Sequence, residues 1–179
     1  MDELSPNHGR RMRLREFQTQ LIDRMRIARS GAAQPVSQLG VDIGGQRWLL
    51  NLQHAGEVIT PGAISPVPLT QDWFLGLINV RGNLLSVSDF ARFQGLPATQ
   101  IDKASRVIAF APGLALHGAL LVSRVLGLRS VAAMTPHSTS AADAAPWAAA
   151  RFLDREEQVW TQLDLSVLAQ DARFLNVGR

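Results

Sequence analysis

The apolar and polar positions of this chain alternate over short runs, and glycine- and proline-rich corners separate the runs. The densest stretch is Trp73 to Gly95, WFLGLINVRGNLLSVSDFARFQG. Trp73 and Phe74 lead into an apolar run ending at Val80, and a second apolar run ends at Asp89. Arg81-Gly82-Asn83 lies between them. Two strand-like runs around such a corner predict a β-hairpin, with Gly82 and Asn83 taking the positive φ that tight turns need. Asp89 is positioned to cap a helical turn over Phe90 to Gln94, and Gly95 to end it.

The same reading applied along the chain gives mostly β structure. Leu39–Ile43 and Gln46–Leu52 flank Gly44-Gly45, a second hairpin with a two-residue glycine turn. Trp48, Leu50 and Leu52 define its buried face, and the face of Arg47, Leu49 and Asn51 is only partly polar. His54–Ile59 is a short strand. Thr60–Thr70 carries Pro61, Gly62, Pro66 and Pro68, which dictates an extended loop. Ser105–Ala111 predicts a strand, Pro112-Gly113 a turn, and Leu114–Val122 another strand. Ser123–Leu128 fits a helical turn or a continued strand. Val131–Pro146, rich in Ala, Ser, Thr and Pro, is expected to be a long surface loop. Trp147–Asp154 and Gln158–Asp164 predict a last hairpin around Arg155-Glu156-Glu157, followed by a closing helix over Leu165–Ala172.

At the N-terminus, Leu14, Phe17, Leu21, Ile22, Met25 and Ala28 recur at three-and-four spacing between arginines. This predicts one amphipathic helix from Arg10 to Arg29. Its apolar stripe suits docking on its own domain or on a partner, and its basic face suits a membrane surface or a nucleic acid.

The second half repeats the first. Leu84–Phe90 (LLSVSDF) lies over Val159–Leu165 (VWTQLDL) at a shift of 75, Gly44-Gly45 matches Pro112-Gly113, and Trp73 falls close to Trp147. Each half would form a small antiparallel barrel of about five strands, too small to bury much alone, so two such lobes would share one core. The expected division is an arm over 1–35 and a body over 36–175. The body's lobes cover about 39–95 and 105–170, with exchange of terminal strands between them left open.

Composition narrows what such a body does. Of 179 residues, 46% are hydrophobic and 18% charged, which excludes a disordered chain. The net charge is +3, and its placement matters more than its size. Residues 1–35 hold seven Arg against four acids, whereas 36–179 hold eleven of each sign. A neutral body argues against nucleic acid as the main partner, since phosphate neutralisation needs clustered cations. The alternative, a nucleic-acid-binding barrel with a basic arm, rests on the arm alone. Absence of cysteine excludes disulfides and thiolate chemistry and fits the cytoplasm. No run reaches the ~18 apolar residues of a membrane span, and MDELSPNHGRRMRLRE has no apolar signal-peptide core, so no direct membrane insertion is expected.

Candidate chemistry is sparse. His8, His54, His117 and His137 have no ligand spacing, so no metal is expected. No glycine-rich loop fits phosphate, no serine sits in a nucleophile elbow, and no cofactor site is expected. Asp42, Asp89 and Asp164 are the candidate carboxylates, with Asp89 and Asp164 suited to capping helices. The chain reads as a binding protein and not an enzyme. Glu57 and Arg81 both lie beside apolar strand residues. A pair between them would be either an ordinary ion pair or a polar landmark on an apolar docking groove.

Gly76-Leu77-Ile78-Asn79-Val80-Arg81-Gly82 resembles the G-x-I-N-x-R-G signature of CheW-type chemotaxis coupling domains. Glu57-Val58-Ile59 resembles the segment where that family carries its Glu. The likeness runs from about Leu39 to Ala169, including Gly118–Leu126 and Leu163-Asp164-Leu165. The basic helical extension is similar to the leader of the PilI subgroup, which serves type IV pilus twitching motility. The resemblance implies two SH3-like barrels around a shared core and no enzymatic activity. It also implies an adaptor role between a CheA-type histidine kinase, met through its regulatory domain, and the cytoplasmic tip of a methyl-accepting receptor. By position, Glu57, Val58, Asn79 and Arg81 become the receptor-side candidates, while Gly44, Gly45, Gly76 and Gly82 shape the backbone. Ser86, where the family commonly has Pro, and Ser88, where it prefers an aliphatic residue, make one face of their strand more polar than usual.

Overall fold

A computed structural model describes residues 37–137 and 145–179. The expected helix over Arg10–Arg29 and part of the Val131–Pro146 loop lie outside the described residues. Ser37–Arg179 forms one compact unit.

The Gly44-Gly45 turn joins β1 (Ser37–Ile43) to β2 (Gln46–Asn51), with Val41 opposite Trp48. Both glycines have positive φ, and the Asp42 carboxylate accepts from Gly45 N at 3.1 Å. Next come β3 (Ala55–Ile59), the hairpin β4 (Phe74–Val80) and β5 (Asn83–Asp89), and the short helix α1 (Phe90–Phe93). The second half supplies β6 (Arg106–Phe110), β7 (Gly118–Val122), β8 (Arg124–Ser130) and the two-residue β9 (Thr135–Pro136). It ends with the hairpin β10 (Ala148–Leu153) and β11 (Val159–Leu163), then α2 (Leu165–Leu168) and α3 (Ala172–Leu175).

These strands make two sheets, in the orders β8-β1-β2-β11-β10-β9 and β3-β6-β7-β5-β4. Apart from β9, the two orders have the same plan. In each, an edge strand leads to an antiparallel hairpin, which pairs in parallel with the last strand of a second hairpin. The duplication seen in the sequence therefore extends to the pairing. The sheets do not follow the two halves of the chain, however. Each takes one hairpin from residues 37–89 and one from residues 106–163, so whole hairpins are exchanged between the two halves.

The largest core lies between the sheets. Val41, Ile43, Trp48 and Leu50 from one meet Ile108, Phe110, Leu120 and Val122 from the other, with Phe90, Trp147, Leu165 and Leu168 among them. A smaller cluster of Ile78, Val87, Val107, Ala119 and Leu121 fills the five-stranded sheet's opposite face, as strand alternation requires. The six-stranded sheet buries its second face differently. Leu49 and Trp160 are fully buried there, and the Arg47 and Arg129 guanidiniums lie 5.5 and 5.0 Å from the Trp160 ring centroid. Gly40 leaves room for that ring, since a Cβ would come within 2.9 Å of it. Leu49 is therefore as buried as its neighbours, and Leu52, expected inside, lies exposed beyond the strand end.

Both halves turn their last hairpin into a helix in the same way. Asp89 N donates to Trp73 O and Asp164 N donates to Trp147 O, each at 2.8 Å. Asp89 caps α1 by accepting from Arg92 N, and Asp164 caps α2 by accepting from Ser166 N and Val167 N. Two expectations need correcting, and one open choice is settled as strand. The strand expected from Leu114 begins only at Gly118, because Pro112–Leu114 forms a 3₁₀ turn and Ala115 adopts φ 52°. Ser123–Leu128 mostly belongs to a strand, with β8 starting at Arg124. The closing helix is two short helices, because Asp171 caps a new one.

Candidate functional site

The β4–β5 hairpin delivers Arg81. Its turn residues are Arg81 (φ 52°) and Gly82 (φ 90°), not Gly82 and Asn83 as the sequence suggests. Two consecutive positive φ values are what a type I′ turn demands. The Asn79 carboxamide oxygen accepts from Gly82 N at 2.9 Å and thereby holds the corner. Asn79 thus has a local structural task as well as an exposed position.

Gly76 fixes where that hairpin sits. It has φ 130°, and a Cβ on it would lie 2.1 Å from the Ser65 carbonyl oxygen. The Thr60–Thr70 loop approaches here, and Ser65 exchanges two backbone hydrogen bonds with Leu77 at 2.8 and 2.9 Å. The exposed edge of β4 is covered at that point.

Glu57 comes from the opposite end of the same sheet. β3 and β4 are the two edge strands, yet Arg81 Nη2 lies 2.7 Å from Glu57 Oε1. The ion pair therefore links edge strand β3 to the tip of the β4–β5 hairpin. Both side chains remain open to solvent, Arg81 at 80% and Glu57 at 41%. Val58, beside Glu57, is exposed, as is Leu84 near the hairpin tip.

Below the pair lies a groove of about 480 Å³. Glu57 and Arg81 line it, together with Leu85, Phe110, Leu116 and His117. Sequence reasoning found the two charges but missed Phe110, Leu116 and His117. These lie far along the chain and are brought to the groove by the β6–β7 connection. Ser86 and Ser88 behave differently from each other. Ser88 is buried, so it adds nothing to an outer surface. Ser86 N and Oγ both donate to the His117 carbonyl oxygen, at 3.0 and 3.1 Å.

Asp89, a candidate carboxylate, is enclosed by its own chain. Besides Arg92 N it accepts from Thr99 N at 2.7 Å and Thr99 Oγ1 at 2.8 Å. Asp164 is desolvated, but hydrogen bonds from Ser166 and Val167 outweigh that and hold its carboxyl below the usual carboxylate range. Among the described residues no three His, Asp or Glu side chains converge to hold a metal. No helix among them is long and apolar enough to cross a membrane.

Comparison with known proteins gives matches of three kinds. The model of the CheW-like domain family matches residues 37–173. The chain is 28% identical over 156 residues to Protein PilI of Pseudomonas aeruginosa, covering 84% of this chain and 85% of that protein. The crystal structure of the scaffolding protein TtCheW from Thermoanaerobacter tengcongensis superposes with a TM-score of 0.63 at 18% identity, covering 74% of this chain and 90% of that one.

Proposed function

The chain belongs to the CheW-like domain family, and from that premise we propose that it is a non-enzymatic adaptor joining a methyl-accepting receptor to a CheA-type histidine kinase. The likeness to PilI favours a chemosensory pathway that controls type IV pilus twitching. The observation that carries the reading is the Glu57–Arg81 pair. It is an exposed charge pair on the rim of a groove with apolar walls, and it links β3 to the tip of the β4–β5 hairpin. In this reading the receptor's helical tip lies along the groove, with Glu57, Val58, Asn79 and Arg81 as its contacts. The kinase's regulatory domain docks on another face of the β body.

The mechanism is scaffolding. Each contact is expected to bury on the order of 800 Å² per partner or less, a size suited to reversible assembly. Holding receptor and kinase in one array lets a shift in the receptor bias the kinase's conformational equilibrium. The adaptor would work on the cytoplasmic side, recruited to receptor arrays at the inner membrane. Affinity capture with the kinase regulatory domain and the receptor tip, singly and together, tests this. One complex containing all three is expected. No binding of either partner at tens of micromolar would sink the reading.

A further inference from the structure

We propose that Ser86 is a positioning residue: it fixes the Pro112–His117 segment as the far wall of the groove beside Glu57 and Arg81, and so sets the groove's affinity for its partner. The inference rests on the receptor-docking reading for its consequence, but its structural half stands apart from that reading.

The wall packs Leu114 and Leu116 against the main core, but few hydrogen bonds fix its backbone. Pro112–Leu114 is a single 3₁₀ turn, and Ala115 follows in the left-handed region at φ 52°, a conformation a residue with a Cβ adopts only under constraint. Its internal hydrogen bonds are short-range, from Leu114 N to Ala111 O, Ala115 N to Pro112 O and Gly118 N to Leu116 O. Such bonds define a local shape without saying where that shape sits against the rest of the molecule.

The anchor is at His117. Its carbonyl oxygen accepts from both Ser86 N and Ser86 Oγ, using both lone pairs of one acceptor. Among the described residues, these are the hydrogen bonds that join residues 112–117 to a neighbouring strand. They come just before the parallel pairing of β5 with β7 begins, at Ser86 opposite Gly118. Ser86 does not itself line the groove, whereas Leu85 before it and Leu116 and His117 across from it do. The serine therefore acts through the wall and not by touching a partner. A proline at this position would lose both donors, and an alanine only the hydroxyl.

Three variants separate the contributions: Ser86→Ala, Ser86→Pro, and the hydroxyl-retaining Ser86→Thr. Amide hydrogen exchange at Leu114–Gly118 reads the wall without any partner. Exchange is expected to be roughly three- to tenfold faster in Ser86→Ala, and restored in Ser86→Thr, with the melting temperature little changed. In the second arm a receptor-tip helical hairpin is titrated into each variant. Affinity is expected to fall about threefold for Ser86→Ala and about tenfold for Ser86→Pro, and to recover in Ser86→Thr. Unchanged exchange in a folded Ser86→Ala overturns the proposal, even if the wild type binds the hairpin well. Faster exchange with unaltered affinity overturns its functional half. Faster exchange in a chain whose wild type binds no receptor tip keeps the wall and discards the docking reading.

Discussion

Replacing Arg81 by glycine separates what this residue does for the fold from what it offers at the surface. At φ 52° a non-glycine residue is strained, by about 1 kcal/mol, and glycine removes that strain. Two losses oppose the gain. The ion pair with Glu57 disappears, but with the side chains 80% and 41% exposed it is worth only about 0–1 kcal/mol. Glycine also gives the unfolded chain more freedom, a cost of roughly 0.5–1 kcal/mol. The three effects nearly cancel, so Arg81→Gly should lie within about 1 kcal/mol of the wild type, or a shift of about 4 °C or less in melting temperature. Urea denaturation followed by tryptophan fluorescence measures this directly, because all four tryptophans are buried in the body. A loss of more than about 2 kcal/mol would refute the reasoning. It would mean that Arg81 clamps the hairpin tip to β3 and is kept for stability.

Other substitutions test the scaffold beneath the site. Gly76→Ala should lose several kcal/mol or fail to fold, since its Cβ would collide with the Ser65 carbonyl at 2.1 Å; near-wild-type solubility and melting would show that the loop yields easily. Asp89→Ala removes a cap and strands the Thr99 donors in a site where Asp89 is 1% exposed. A loss of about 2–4 kcal/mol is expected, and a change below 1 kcal/mol would contradict that accounting. The Asp164 carboxyl is held below the usual range by its hydrogen bonds, so its contribution is complete above the unfolded carboxylate pKa. That contribution fades as pH falls through the lower folded value. Stability should therefore drop below about pH 4, and less steeply in Asp164→Asn, in a pH series of denaturation curves. Parallel slopes for the two proteins would contradict this.

The parts of the fold that local chemistry dictates were legible in the sequence. Gly44-Gly45 announced its hairpin, and Asp89 and Asp164 announced helix starts at matching places in a repeat. Residues 81–83 were legible as a corner, but the turn's register was not. The Asn79 side chain bonds Gly82 N and draws the turn one residue toward the N-terminus, a choice that residue preferences for positive φ do not reveal. The hairpin exchange was hidden for another reason. The β2–β11 and β5–β7 pairings are parallel and join distant segments, so no turn signals them. The face of Leu49 looked half-polar because Arg47 shares it, and that guanidinium lies over the Trp160 ring, a distant residue brought there by the fold. At the site, the two charges stood out against apolar neighbours. The groove's far wall depends on a left-handed Ala115 and a serine anchor that no periodicity marks.

The most direct test is to titrate the receptor's cytoplasmic tip into the wild type and into Arg81→Glu, with thermal melts of both proteins alongside. The account predicts saturable binding by the wild type. Arg81→Glu should bind at least tenfold more weakly, a loss of about 1.4 kcal/mol or more, while melting within a few degrees of the wild type. Equal affinities would contradict it, as would a variant that loses binding only because it has unfolded.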